Sequence, residues 1–259
     1  MLIQLTNYCL EGCKHCLQDS SPLGQHMSPA IIEATIEWIK YAKFDVAVIS
    51  GGEPTASPYF EYICRELNRE QIHFMIASNG TWCESPEVIT TVYNILKLPY
   101  CVYLQVYSNV KWYKDYELVI SHRNNSLRHP KIHVITDDIL SMQDLGRAKT
   151  GAIQEVEANP FAMSCLKSTV LARQCSDIQQ FAALGQQRVI CTPMVDYRGN
   201  VHMSESCLCP SCGNLLEDTF ASIWDVMHSL NPCLGCKVSQ RFMNSNSLKA
   251  AVARKILGL

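Results

Sequence analysis

Cys9, Cys13 and Cys16 stand near the start of the chain, separated by three and then two residues. A cubane iron–sulfur cluster has four irons and ordinarily takes four thiolates, so three cysteines on one tight loop leave one iron without a protein ligand. An iron left open in this way is a place for another molecule to bind and react. A structural zinc loop is the alternative reading, and it usually pairs two Cys-x2-Cys units. No such partner lies nearby, since the next cysteine is Cys64.

The remaining composition fits a cluster-bearing chain. With 259 residues, 47% of them hydrophobic and 18% charged, the chain can bury one core and carry a smaller extension. Fourteen cysteines would suit a secreted disulfide scaffold, but such scaffolds are short and follow a signal peptide, whereas Met1 to Leu5 runs straight into the cysteine loop. Thiols held for iron in the cytoplasm are the expected account. No apolar run reaches the roughly 18 residues a membrane helix needs. The net charge of −2 and the lack of a dense basic stretch argue against nucleic acid as a partner.

Short runs rich in Val, Ile and Tyr alternate with helical patterns over the first two thirds, which predicts repeated βα units and a parallel sheet. Strands are expected at Leu2 to Thr6 and over residues 45–50, 72–77, 101–106 and 131–136, with a sixth at 152–157. Helices are expected over residues 28–43, 59–69 and 86–97, the first with Ser28 as N-cap and Pro29 in its first turn. In parallel barrels chemistry sits at the carboxyl ends of the strands, and the motifs fall there.

Strand two runs into Gly51-Gly52-Glu53-Pro54, where glycines let backbone come close to a ligand, Pro54 stiffens the turn and Glu53 can accept from an ammonium. The run from Thr6 through Cys9, Cys13 and Cys16 resembles the cluster loop of radical S-adenosylmethionine (SAM) enzymes, and Gly51 to Pro54 matches that family's SAM-amino motif one βα unit later. The resemblance implies an α/β fold, a partial (βα)6 radical SAM barrel with a small C-terminal auxiliary-cluster domain, divided as 1–160 and 161–259. It implies a 4Fe-4S cluster held by the three cysteines, with SAM chelated at the open iron. Weaker marks are Ser78 and Asn79 in a Ser-Asn-Gly turn after strand three, Ser108 after strand four, Arg147 in Gly-Arg-Ala, and His15 before the third cysteine, where relatives place a residue near the adenine. Each also reads as an ordinary turn or surface residue.

Cysteines concentrate again toward the C-terminus, around a hairpin with Gly199 at its turn and a helix from Phe220 to Trp224. That order resembles the auxiliary-cluster domains called twitch and SPASM, which implies Cys191, Cys207, Cys233 and Cys236 as ligands of a second iron–sulfur cluster. Ser204 stands where relatives usually have a cysteine, so Cys209 or Cys212 are alternates. A zinc ribbon from Cys209, Cys212, Cys233 and Cys236 is the competing reading of the same residues. Residues 200–245 show no obvious core of their own, so a metal is expected to tie them together.

Under the resemblance, a reductant such as flavodoxin or ferredoxin supplies the electron, SAM yields a 5′-deoxyadenosyl radical, and that radical takes hydrogen from a substrate carbon. Relatives modify ribosomally made peptides by cross-link, thioether or epimerisation, or oxidise small alcohols, as the 2-deoxy-scyllo-inosamine dehydrogenase type does. Peptide modification is the leading expectation. A leader-gripping winged helix has no room before Leu2, so a separate leader-binding protein or a small substrate is expected. Glycyl-radical activases carry further cysteines after the loop, and residues 17–50 contain none. A non-enzymatic iron–sulfur or zinc scaffold is the alternative outside catalysis.

Overall fold

The computed structural model describes residues 1–13, 16, 18–107, 129–135, 193–203 and 211–228. The apolar runs of the first half become strands β1 (Leu2–Thr6), β2 (Val46–Gly51), β3 (His73–Ser78), β4 (Cys101–Tyr107) and β5 (Ile132–Ile135), with neighbours parallel throughout. Helices α1 (Pro29–Ala42), α2 (Phe60–Arg69) and α3 (Pro86–Leu96) connect the first four. Parallel neighbours require such crossovers, because a tight turn cannot return the chain to the same end of the sheet. Local chemistry marks the helix starts: Ser28 accepts from the Ile31 amide and Ser85 from the Val88 amide, each with a proline in the first turn.

The two faces of the sheet differ by the strand period of two. Ile3, Leu5, Ala47, Ile49, Phe74, Ile76, Leu104 and Val106 are buried in one apolar core with the inner sides of the helices. The alternate residues Val48, Ser50, Met75, Ala77, Tyr103 and Gln105 are only half-buried. Pairing of Met75 with Tyr103 and of Gln105 with His133 places these side chains on one common face, where the Tyr103 and His133 rings lie 5.0 Å apart.

The C-terminal elements extend this same sheet. Strand β6 (Met194–Val195) runs parallel to β1, with Leu2 opposite Met194 and Ile3 opposite Val195. Strands β7 (Asn200–His202) and β8 (Ser211–Asn214) follow antiparallel, giving the order β5-β4-β3-β2-β1-β6-β7-β8. Gly199 turns the β6–β7 hairpin at φ 88°, a conformation that favours glycine. The expected strand at 152–157 and the expected boundary after residue 160 lie outside the described residues. The sixth parallel strand among the described residues is β6.

Helix α4 (Phe220–His228) lies against α1, with Trp38 meeting Phe220 at 5.5 Å and Trp224 at 6.1 Å, both edge-on. Val201, Met203, Leu215, Ile223 and Met227 join the core that holds Ile3 and Trp38. For the described part, this corrects the expectation that residues 200–245 have no obvious core of their own. The described part, 200–203 and 211–228, is anchored on the sheet and α1 by its own side chains, which periodicity over such short elements did not reveal.

Candidate functional site

The loop that follows β1 is held by the segment after it. Asn7 N–H donates to Gln25 O at 2.8 Å and Cys9 N–H to Ser21 O at 3.1 Å, while the Ser20 hydroxyl donates to the Asn7 side chain at 2.9 Å. Gly24 permits this cover, since a Cβ there would stand 2.0 Å from Asn7 O. On the loop so fixed, Cys9 and Cys13 are buried and Cys16 is half-buried.

Two sulfurs already receive hydrogen bonds. Ser20 N–H donates to Cys16 Sγ at 3.3 Å and the Asn79 side-chain amide to Cys9 Sγ at 3.6 Å, and the Glu11 backbone amide also donates to Cys9. Burial pushes the Cys9 thiol up to about 11, with the negative charges of Glu53, Cys16 and Glu11 adding to it. Such a thiol gives up its proton when a metal takes its place. Among the described residues no three His, Cys, Asp or Glu side chains converge tightly enough for a single metal ion. A cubane asks for a wider footprint, because each thiolate binds a different iron. Three thiols on one loop, with backbone and side-chain donors facing the sulfurs, suit that group.

The Gly51-Gly52 turn is built against this loop. Gly52 N–H donates to Thr6 O at 2.8 Å and Glu53 N–H to Tyr8 O at 2.9 Å, extending the β1–β2 pairing past the strands. A Cβ on Gly51, at φ 138°, would lie 2.3 Å from Thr6 O, and one on Gly52 would lie 2.1 Å from Tyr8 O and 3.1 Å from Cys9 Cβ. The glycines thus admit the backbone of the cysteine loop itself. Sequence reasoning assigned that space to a ligand.

Glu53 is 2% exposed. Its Oε1 accepts from Thr55 N at 3.1 Å, Thr55 Oγ1 at 2.6 Å and Ser78 Oγ at 2.9 Å, and its Oε2 from Ser78 Oγ at 3.0 Å and Asn79 N at 2.8 Å. Burial raises its pKa, and these donors oppose the rise without cancelling it. Expected as an ammonium acceptor, this carboxylate is already engaged in joining the turn after β2 to the turn after β3. Pro54 opens a short 3₁₀ turn, Pro54–Ala56, capped by Glu53 itself.

Ser78 and Asn79, expected beside SAM, therefore sit in this junction. Thr55 and Thr81 belong to it too and were missed, as was Ser20 beside Asn7 and Cys16; the hydroxyl two residues after Glu53 was the available signal for Thr55. Ser108, Arg147, His15, Cys191, Cys207, Cys209, Cys233 and Cys236 lie outside the described residues. Cys212, the remaining alternate ligand, is buried on β8. Cys64, Cys83 and Cys101 are packed in the apolar core, so part of the cysteine supply serves as small hydrophobic filling.

Residues 3–96 match the family model of the radical SAM superfamily. That segment is similar to radical SAM domains. Its match ends with α3 and holds the cysteine loop, Glu53 and the Ser78-Asn79 turn. No curated protein sequence matches the chain. Among solved structures, the chain is similar to BtrN in complex with AdoMet and 2-DOIA, at 16% identity and a TM-score of 0.60, covering 95% of this chain and 92% of that one. It is also similar to SuiB of Streptococcus suis bound to precursor peptide SuiA, at 10% identity and a TM-score of 0.50, covering 95% and 73%. At these identities the likeness is one of fold, an α/β architecture on a parallel sheet. The family that this model describes implies a 4Fe-4S cluster and SAM. No helix among the described residues is long and apolar enough to cross a membrane.

Proposed function

We propose that this chain reductively cleaves SAM and uses the resulting 5′-deoxyadenosyl radical to take a hydrogen atom from a substrate carbon. The observation that carries the proposal is the convergence at Asn79, whose backbone N–H meets Glu53 while its side chain meets Cys9. Three motifs far apart in sequence are joined through that one residue.

Held by Cys9, Cys13 and Cys16, a 4Fe-4S cluster would supply the open iron for SAM and the electron that breaks its carbon–sulfur bond. The chain's own part is to fix and shield the reactants. Segment 18–27 covers the cysteine loop from one side. The turns after β2 and β3, locked by Glu53, present their backbone beside it. Ser108, Arg147 and His15 are proposed as further SAM contacts, and Cys191, Cys207, Cys233 and Cys236, with Cys209 or Cys212 as alternates, as holders of an auxiliary cluster.

A ribosomally made peptide is the first substrate class proposed, with a separate protein binding its leader and a flavodoxin or ferredoxin as reductant. Oxidation of a small alcohol is the second, favoured by the half-buried polar row of Ser50, Tyr103 and Gln105 on the face of the sheet away from the apolar core and by the match over nearly all of BtrN, whose complex holds 2-DOIA. The classes separate by isotope transfer. Anaerobically reconstituted protein is given SAM, reductant and either a deuterated precursor peptide or a deuterated amino-cyclitol, and 5′-deoxyadenosine is examined by mass. Deuterium from the peptide supports the first class and deuterium from the cyclitol the second. A protein that loads iron yet forms no 5′-deoxyadenosine under any of these conditions is a scaffold.

A further inference from the structure

Asn79 is held from both ends of its carboxamide. Its Oδ1 accepts from Thr81 N at 2.9 Å and from Thr81 Oγ1 at 2.8 Å. A backbone N–H can only donate, so the atom facing Thr81 is the oxygen and the other arm is the NH2. That arm points at Cys9 Sγ at 3.6 Å, a separation that sulfur's larger radius allows. The Asn79 backbone is fixed in turn by its bond to Glu53 Oε2 at 2.8 Å. Side chain and main chain are anchored independently, and the NH2 arm is left facing the Cys9 sulfur.

We infer that Asn79 sets the reduction potential of the cluster at Cys9 through this hydrogen bond. The inference rests on the reading above that Cys9 is a cluster ligand. A reduced cluster carries one more negative charge, spread in part over its sulfurs, so a donor to a cysteine sulfur stabilises the reduced form more than the oxidised one. Removing the donor makes reduction harder. The bond from the Glu11 amide to the same residue remains, so the effect is partial. Asn79 is thereby a positioning residue for the electron step, apart from any contact it has with SAM.

The test is a redox titration of the reconstituted full-length chain without SAM, followed by the paramagnetic signal of the reduced cluster. Asn79→Asp keeps an acceptor for Thr81 but replaces the donor arm with oxygen. Asn79→Leu removes donor and acceptor without adding charge. At a fixed poise, the ratio of reduced to oxidised cluster is expected to fall roughly tenfold in Asn79→Leu, about 59 mV for a one-electron couple, and further in Asn79→Asp. Thr81→Val, which loosens the carboxamide but leaves it in place, gives a smaller shift of the same sign and decides the matter if the Asn79 variants do not load. Wild-type potentials in the loaded Asn79 variants, or in Thr81→Val where it alone loads, overturn the inference. A wild-type chain that takes up no cubane at Cys9, Cys13 and Cys16 overturns the underlying reading instead, and iron and sulfide content show this before any variant is titrated.

Discussion

Ser78 Oγ lies 2.9 Å from one oxygen of Glu53 and 3.0 Å from the other, so the end of β3 is pinned to the turn after β2 by a hydroxyl shared between both arms of one carboxylate. This pairing makes Glu53 a structural clamp first. Replacing it by Gln puts an NH2 where N–H and O–H donors already point, and leaves a buried donor unmet. Glu53→Gln is expected to cost about 1–3 kcal/mol and to weaken SAM binding. Urea unfolding and equilibrium dialysis against SAM check both. A stable variant with weakened SAM binding would return Glu53 to the role of a direct ammonium acceptor.

The glycines before it make a sharper distinction. A Cβ at Gly52 meets Tyr8 O at 2.1 Å, and backbone cannot yield as a flexible side chain can. Gly52→Val is therefore expected to disrupt the cysteine loop even in the absence of SAM. Iron loading and thermal stability should both fall. A variant that folds and loads iron normally but fails only to bind SAM would contradict this.

The C-terminal elements are predicted to hold without metal. Ile223 is fully buried in the shared core, so Ile223→Ala should cost about 2–5 kcal/mol. Chelator-treated protein should keep α4 against α1, read from the near-ultraviolet signal of Trp38 and Trp224. Loss of that signal on iron removal would show that metal ties this segment, as the sequence alone had suggested.

Much of this was legible beforehand, and the exceptions have physical causes. Ser28 announced its helix because an N-cap is a local interaction, and the first five strands showed as short runs rich in Val, Ile and Tyr. Strand β6 has two residues, too few for any period, and is a strand because Leu2 and Ile3 pair with it. Segment 18–27 has no apolar rhythm at all. Its place comes from backbone bonds to Asn7 and Cys9 and from the space left by Gly24. Cys64, Cys83 and Cys101 counted as thiols for iron, because a packed cysteine and a ligand look alike without the core around them. The cysteine loop was singled out by type and spacing and Gly51 to Pro54 by its resemblance to a family motif, whereas the clamp between Glu53 and Ser78 spans two strands that only the register brings together.

Acid should loosen the β6–β7 hairpin. The Asp196 carboxylate accepts from the Arg198 and Asn200 amides and from the Asn200 side chain, each at 2.9 Å, and lies 3.1 Å from His202 Nε2. Burial raises its pKa, but the bonds from His202 and Asn200 outweigh burial and leave it below the usual value. A carboxyl depressed in the fold contributes stability above its unfolded pKa of about 4 and loses that contribution as pH falls through the folded value. Asp196→Asn should therefore be about 1–2 kcal/mol less stable near neutrality, with the gap closing below about pH 4. A gap that stays constant with pH would show that the charge contributes nothing.

The central claim is that Cys9, Cys13 and Cys16 hold the cluster that opens SAM, and 5′-deoxyadenosine formation by the reconstituted chain measures it most directly. With SAM and a strong reductant under anaerobic conditions, the wild-type chain should release 5′-deoxyadenosine and methionine, and a variant with all three cysteines changed to alanine should release neither. Undiminished 5′-deoxyadenosine from the triple variant, or none from an iron-loaded wild type, would contradict the account.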